Sequence, residues 1–170
     1  MEMQAGKKVE SGVAPIPDGY HTITSNLTVR GGEKAIAFYK KVFGAEELGR
    51  MYGPDGKTIV HAELKIGDSR FFVTDEFPAF GNRSPESLGG TGSSLYLYVE
   101  DADAVFRKAV GAGAKIKGPV QDMFWGDRCG AVIDPFGHEW SIATHKEDVP
   151  PGEMERRGAE FLRQMGGKPS

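Results

Sequence analysis

The sequence is poor in the features that mark specialised classes. It has one cysteine, Cys129, in 170 residues, so no intramolecular disulfide staples it, and a lone thiol suits a reducing compartment. No apolar run approaches the roughly 20 residues needed to cross a bilayer, which argues against a membrane protein. The polar stretch from Met1 to Ser11 lacks the apolar core of a secretory leader, and the expected location is cytoplasmic. Cationic side chains are in slight deficit: 21 Lys and Arg against 24 Asp and Glu leave a formal charge of −3. That balance offers no footprint for a nucleic acid. Gly89 and Gly90 lack the strand-then-helix setting of a phosphate-cradling loop, so no nucleotide site is indicated.

What remains is a globular composition, 39% hydrophobic and 26% charged, sized for one domain or two small modules sharing a core. Residues 1–19 carry Gly, Lys and Pro without periodicity and are expected to form a flexible lead-in. From Tyr20 onward Ile23, Ser25, Leu27 and Val29 alternate with Thr22, Thr24, Asn26 and Thr28, the period of a half-buried strand. Ala35, Ile36, Phe38, Tyr39, Val42 and Phe43 then recur at helical spacing over Glu33–Phe43, and Gly44 is placed to end the helix. Strands follow at Glu46–Tyr52, Thr58–Ile66 and Arg70–Asp75, the first two joined by a turn at Pro54-Asp55-Gly56. In the second of these, Val60, Ala62, Leu64 and Ile66 share one face, while Ile59, His61, Glu63 and Lys65 share the other. The Pro-, Gly- and Ser-rich segment Phe77–Gly92 reads as a linker or a lid.

After it the pattern restarts. Leu95, Leu97 and Val99 alternate with Ser94, Tyr96 and Tyr98, and a helix follows over Asp101–Ala112. Strands are expected at Ala114–Val120, Asp127–Ile133 and His138–Thr144, the last entered through the turn Asp134-Pro-Phe-Gly. The tail, 146–170, contains an amphipathic helix over Pro150–Gly166, suited to docking on the body or on a partner chain. The chain thus reads strand–helix–strand–strand–strand twice, over about 20–76 and 93–145, with 77–92 between. Leu27-Thr28-Val29 recurs as Leu97-Tyr98-Val99, and Gly44-Ala45 recurs as Gly113-Ala114. Such a repeat constrains the fold more than any single element.

In Val29, the helix Ala35-Ile-Ala-Phe-Tyr-Lys-Lys-Val-Phe-Gly-Ala and the closing Asp134-Pro-Phe-Gly, the chain resembles the vicinal oxygen chelate superfamily. That group includes glyoxalase I, bleomycin-resistance proteins and extradiol dioxygenases, and the likeness spans about Tyr20 to His145. It implies an α+β fold of tandem βαβββ modules forming a curved mixed sheet, with helices on the convex side and a ligand cleft on the concave side. Ile23, Leu27, Val29, Val60, Ala62, Leu64, Leu95, Leu97, Val99, Trp140 and Ile142 should then face the helices. Thr24, Asn26, His61, Glu63, Tyr96, Tyr98, Glu139 and Ser141 should line the cleft, since a one-residue slip would exchange the two faces. Clefts of this group are often completed by a second chain, so a homodimer is expected.

The resemblance also implies one divalent ion in the catalytic relatives, held by His, Gln and Glu from four strands. Those positions fall on Thr24, Ser94 and Ser141, with the fourth near Val73 or Asp75. Hydroxyls are too weakly basic to hold such an ion alone, so no metal and no other cofactor is expected. The alternative is one divalent metal ion displaced onto His61, Glu63 and Glu139, which could equally serve as acid–base groups and are the candidate catalytic residues. Met123-Phe-Trp-Gly-Asp-Arg128 is either a ligand wall or a structural corner. In the first case Phe124 and Trp125 supply flat apolar area and Arg128 a donor fork; in the second Trp125 packs the module junction and Arg128 pairs with Asp127 or Asp134. Tyr96 and Tyr98 either stack on a planar ligand or fill the junction. His138 is expected to be structural and Cys129 a small buried hydrophobe. The chain is accordingly expected to be a bleomycin-resistance-like protein binding a small planar, partly apolar molecule without the superfamily metal. A metal-dependent or acid–base lyase or isomerase, glyoxalase- or epimerase-like, is the alternative.

Overall fold

The computed structural model describes residues 12–164 and 166; the part of the expected lead-in at 1–11 lies outside the described residues. The first module comprises β1 (Ser25–Val29), α1 (Gly32–Phe43), β2 (Glu46–Tyr52), β3 (Ile59–Ile66) and β4 (Ser69–Asp75). A 3-10 turn at Pro78–Phe80 and the short α2 (Pro85–Leu88) follow. The second module repeats the pattern as β5 (Ser94–Tyr98), α3 (Ala102–Gly111), β6 (Lys115–Asp122), β7 (Asp127–Ile133) and β8 (Glu139–His145). The tail carries α4 (Pro151–Gln164). Each module forms a four-stranded mixed sheet, in the orders β1-β4-β3-β2 and β5-β8-β7-β6. The first strand of each is parallel to the fourth and the remaining pairs are antiparallel. The fold is α+β, a βαβββ unit used twice, and the two sheets do not close into a barrel.

Local chemistry fixes the helices against the sheets. The orphan N–H groups at the start of α1 are met from outside the helix: Asp75 Oδ1 accepts from Gly31 N at 2.9 Å and Gly32 N at 2.7 Å, and Oδ2 accepts from Ile59 N at 2.7 Å. A carboxylate there also complements the helix dipole. The first turn of α1 lies so near β3 that a Cβ on Gly32 would sit 2.7 Å from the Ile59 side chain. Lys40 and Lys41 occupy the last turn, where cations are favoured.

One apolar core runs through both modules. Tyr39 and Phe43 of α1 pack on Trp140 with ring centroids 5.5 and 4.5 Å apart, and Phe38 meets Phe136. At its centre Asp134, 3% exposed, accepts from Tyr39 Oη at 2.8 Å, Trp140 Nε1 at 3.0 Å, and the backbone N–H groups of Phe136 and His138 at 2.8 and 2.9 Å. His138 Nε2 lies 2.9 Å from the carbonyl oxygen of Thr28 in the other module. The Asp134-Pro-Phe-Gly turn is therefore the joint between the halves.

Two expected inward positions are corrected. Ile23 is 87% exposed because β1 begins at Ser25 and residues 20–24 leave the sheet. Along β3 the pairing jumps from Met51–His61 to Tyr52–Ile59, leaving Val60 as the extra residue of a bulge. The alternation flips there, so Ile59 is fully buried and Val60 only partly. Leu95, Leu97 and Val99 are half-buried, as befits residues on and beside the edge strand β5. The segment 77–92 is tied down by side chains. Glu76 accepts from Ser87 Oγ at 2.7 Å, Ser84 Oγ at 2.8 Å, Ser84 N at 3.0 Å and Arg30 Nε at 3.0 Å. These donors, Ser87 foremost, lower its pKa to about 2. Asn82 Oδ1 accepts from Thr28 Oγ1 at 2.6 Å. Helix α4 buries no residue and meets the body where the Phe161 ring lies 5.5 Å from that of Phe124.

Candidate functional site

The faces of the two sheets opposite α1 and α3 carry the polar side chains. On the first sheet Asn26, Phe72 and Glu63 sit side by side in register. The His61 ring lies 4.7 Å from that of Phe72, and its Nε2 is 3.5 Å from Glu63 Oε1. Tyr20 donates its hydroxyl to Glu63 Oε2, and burial, then Glu63, raises its pKa. The Arg70 guanidinium lies 4.7 Å over the Tyr20 ring, with no carboxylate partner among the described residues. The segment from Pro15 to Thr24 thus crosses this face, enclosing about 410 Å³ between itself, Glu63 and Phe72. Thr24, outside β1, borders that space.

On the second sheet the centre is Asp127, whose side chain is 2% exposed. Its Oδ2 accepts from Tyr96 Oη, Tyr98 Oη and Trp125 Nε1, each at 3.0 Å. Its Oδ1 lies 2.9 Å from His145 Nδ1, and His145 Nε2 is 3.0 Å from Asp148. Burial pushes the Asp127 carboxyl up, but the donors, led by His145, more than offset this and hold it below the usual value. The same bond, then Asp148, raises His145. Burial raises the Tyr96 phenol, and Asp127 raises that of Tyr98. The geometry therefore holds a carboxylate among donors that keep their protons.

A cavity of about 560 Å³ opens between the β3–β4 turn and the edge strand β5, where it is bordered by Tyr96 and Tyr98. Tyr96 and Tyr98 stand on one wall and Arg70 on another, with Ile66, Phe71, Leu95, Leu97 and Trp140 supplying apolar surface.

The remaining expected site residues are dispersed. Glu139 is paired with Lys117 on the second sheet and borders a separate hollow with Lys115 and Pro135. It does not join His61 and Glu63 on the first sheet. Arg128 has its guanidinium taken up by Asp103 at 2.9 Å, on α3, and by Asp122 at 3.1 Å. Phe124 faces α4, where a Cβ on Gly158 would lie 3.2 Å from its ring. Ser141 stands between Tyr96 and Ala131, and Ser94 beside Glu139. Asp75 is committed to α1. Among the described residues no three His, Cys, Asp or Glu side chains converge as ligands, and this donor set does not fit a divalent ion.

Sequence reasoning missed Asp127, His145, Tyr20 and Arg70. For the first two a signal existed: Asp127 opens β7 and His145 closes β8, and an antiparallel pair sets them opposite each other. Tyr20 and Arg70 meet only through the course of the preceding segment.

The sequence model of the Glyoxalase/Bleomycin resistance protein/Dioxygenase superfamily matches residues 19–142. An uncharacterized protein of Mycobacterium tuberculosis is 43% identical over 136 residues, covering 78% of this chain and 79% of the relative. The crystal structure of an Arabidopsis thaliana gene product superposes with a TM-score of 0.59 at 31% identity, covering 73% of this chain and 98% of that one. TioX from Micromonospora gives 0.56 at 30% identity, covering 72% and 97%.

Proposed function

Because the chain belongs to the Glyoxalase/Bleomycin resistance protein/Dioxygenase superfamily, we propose that it binds a small planar, partly apolar molecule in the cavity beside Tyr96 and Tyr98, without a divalent ion. The observation carrying this is the aromatic wall anchored by Asp127. Tyr96 and Tyr98 remain 46% and 61% exposed while their hydroxyls are fixed, so two flat faces are held ready at the cavity's rim. Stacking on such a face contributes about 0.5–1.5 kcal/mol beyond area burial, and little side-chain entropy remains to be lost on binding. Trp125 Nε1 braces the Tyr96 hydroxyl at 3.3 Å, Ser141 lies beside Tyr96, and Arg70 offers donors to a carbonyl or anionic group on the ligand. Hydroxyls at Thr24, Ser94 and Ser141, and the scatter of His61, Glu63 and Glu139, support the metal-free part.

The same proposal includes a homodimer located in the cytoplasm. Its support is the open edge of β5, flanked by half-buried apolar residues, and a helix α4 with no buried side chain; no helix described is long and apolar enough to cross a membrane. Titration with the neutral fluorophore N-phenyl-1-naphthylamine tests the binding. We expect saturable enhancement at micromolar concentration, weakened about fivefold or more in Tyr98→Ala. Equal binding by Tyr96→Ala and Tyr98→Ala would remove the site. Stoichiometric metal in untreated protein that disappears in His61→Ala would remove the metal-free part, and a monomeric mass by light scattering the dimer.

A further inference from the structure

The segment ahead of β1 lies across the first sheet as a strap fastened by one side chain. Residues 12–24 belong to neither sheet. Val13, Ile16 and Ile23 are 77%, 44% and 87% exposed, and Tyr20 is half-buried between exposed neighbours. The Tyr20 ring lies 5.7 Å from that of Phe72 and 4.7 Å from the Arg70 guanidinium. Its hydroxyl donates to Glu63, and the His61 ring stands 4.7 Å from Phe72. Gly19 has φ +78°, and a Cβ there would lie 2.6 Å from Arg70 Nη2, so a glycine is required where the guanidinium meets the strap.

These are the contacts of a bound ligand. A cation over the ring face, an aromatic neighbour and a carboxylate accepting the hydroxyl are what a protein uses to hold a free phenol, and here the chain supplies the phenol itself. The fit is loose, with about 410 Å³ left between the strap, Glu63 and Phe72. An exposed segment with so few buried contacts opens at small free-energy cost. We propose that residues 15–24 form a self-occupying strap: Tyr20 fills an aryl site on the first sheet, and a planar ligand bearing a hydroxyl donor replaces it on Glu63, Phe72 and Arg70 as the strap swings about the start of β1. This site is separate from the cavity beside Tyr96 and Tyr98, which Arg70 also borders, and does not depend on it. A tethered ring competes at an effective concentration in the millimolar range, so free ligands bind weakly until Tyr20 is displaced.

The side chains of tyrosine and phenylalanine as free molecules, p-cresol and toluene, test this, with binding read from the imidazole C–H signals of His61. In Tyr20→Ala, p-cresol should bind saturably at millimolar concentration, about tenfold or more tighter than in the native protein. It should also bind several-fold tighter than toluene, which has no hydroxyl for Glu63. Adding Tyr98→Ala to Tyr20→Ala should leave p-cresol binding unchanged. Chymotrypsin reads the fastening without any ligand. Glu63→Ala should speed cleavage after position 20 several-fold, with the far-ultraviolet spectrum unchanged. Tyr20→Phe keeps the ring and the cleavage site but loses the hydroxyl, and should do the same even where Glu63→Ala does not fold. Equal p-cresol affinity in the native protein and Tyr20→Ala, or unchanged cleavage in Tyr20→Phe, overturns the strap. Toluene binding as tightly as p-cresol overturns the hydroxyl preference. Loss of p-cresol binding on adding Tyr98→Ala would place the ring in the other cavity, overturning this site while supporting that one.

Discussion

Removing one hydroxyl asks how strongly the two halves of this protein are joined. Tyr39→Phe deletes the donor 2.8 Å from Asp134 Oδ2 and leaves the ring packed between Phe43 and Trp140. Asp134 Oδ2 then keeps only Trp140 Nε1, in a place water scarcely reaches. A hydrogen bond to a charged group contributes about 1.5–3 kcal/mol, so we expect a loss of about 2 kcal/mol, roughly 4–8 °C in Tm for a domain of this size. Asp134→Asn is the harsher change. Oδ1 serves two backbone N–H groups and Oδ2 serves Tyr39 and Trp140, so either orientation of the amide sets an NH₂ against an N–H donor. That costs about 3 kcal/mol or more.

Urea denaturation followed by tryptophan fluorescence, with unchanged m-values, measures both. Burial, and then Asp134, holds the Tyr39 phenol well above its usual pKa. A tyrosine in the unfolded chain ionises near pH 10, so the stability tied to this group is complete below that pH and declines above it. Tyr39→Phe should flatten that alkaline decline. A loss under about 0.5 kcal/mol in Tyr39→Phe, small beside the usual contribution of such a bond, would refute the view that Asp134 holds the modules through this contact.

Three further outcomes follow from the geometry. His145 has a raised pKa and Asp127 a lowered one, so the stability of their pair is present above the unfolded carboxylate pKa and below the unfolded imidazole pKa. The destabilisation measured for His145→Ala should therefore shrink as pH rises through the folded pKa of His145, and a pH-independent difference would contradict the ion pair. Glu76→Ala releases Ser84, Ser87 and Arg30 together, so trypsin should cut after Arg83 several-fold faster, with the far-ultraviolet spectrum unchanged. Gly126 has φ +97°, and a Cβ there would lie 2.1 Å from the Glu147 carbonyl oxygen. Gly126→Ala should cost about 2 kcal/mol or more and alter the Trp125 indole signal; a silent substitution would mean that this turn yields freely.

The duplicated pattern and the order of elements were legible because each signal is local. Alternation along β1 and β5, the helical spacing of Ala35 to Phe43 and the Asp-Pro-x-Gly turn all lie within a dozen residues. Ile59 shows where this fails: its inward orientation depends on a bulge created by pairing with β2, and a strand read alone carries no record of its partner. The expected site suffered more. Tyr96, Tyr98 and Trp125 were named from their aromatic character. Arg128 was named as a donor fork, but α3 brings Asp103 against it. His61, Glu63 and Glu139 share a face by alternation, yet two separate sheets carry them.

The sequence by itself determined the βαβββ repeat, the inward faces of β1, β5, β8 and of β3 beyond its bulge, and the hydroxyls at Thr24, Ser94 and Ser141. Those depend on residue identity and on periods of two and 3.6. Only the tertiary structure decided that Asp127 gathers Tyr96, Tyr98, Trp125 and His145, and that Tyr20 reaches Glu63. Each of these contacts joins residues brought together by sheet pairing or by the path of a segment outside the sheets, and hydrogen bonds act over about 3 Å whatever the separation along the chain.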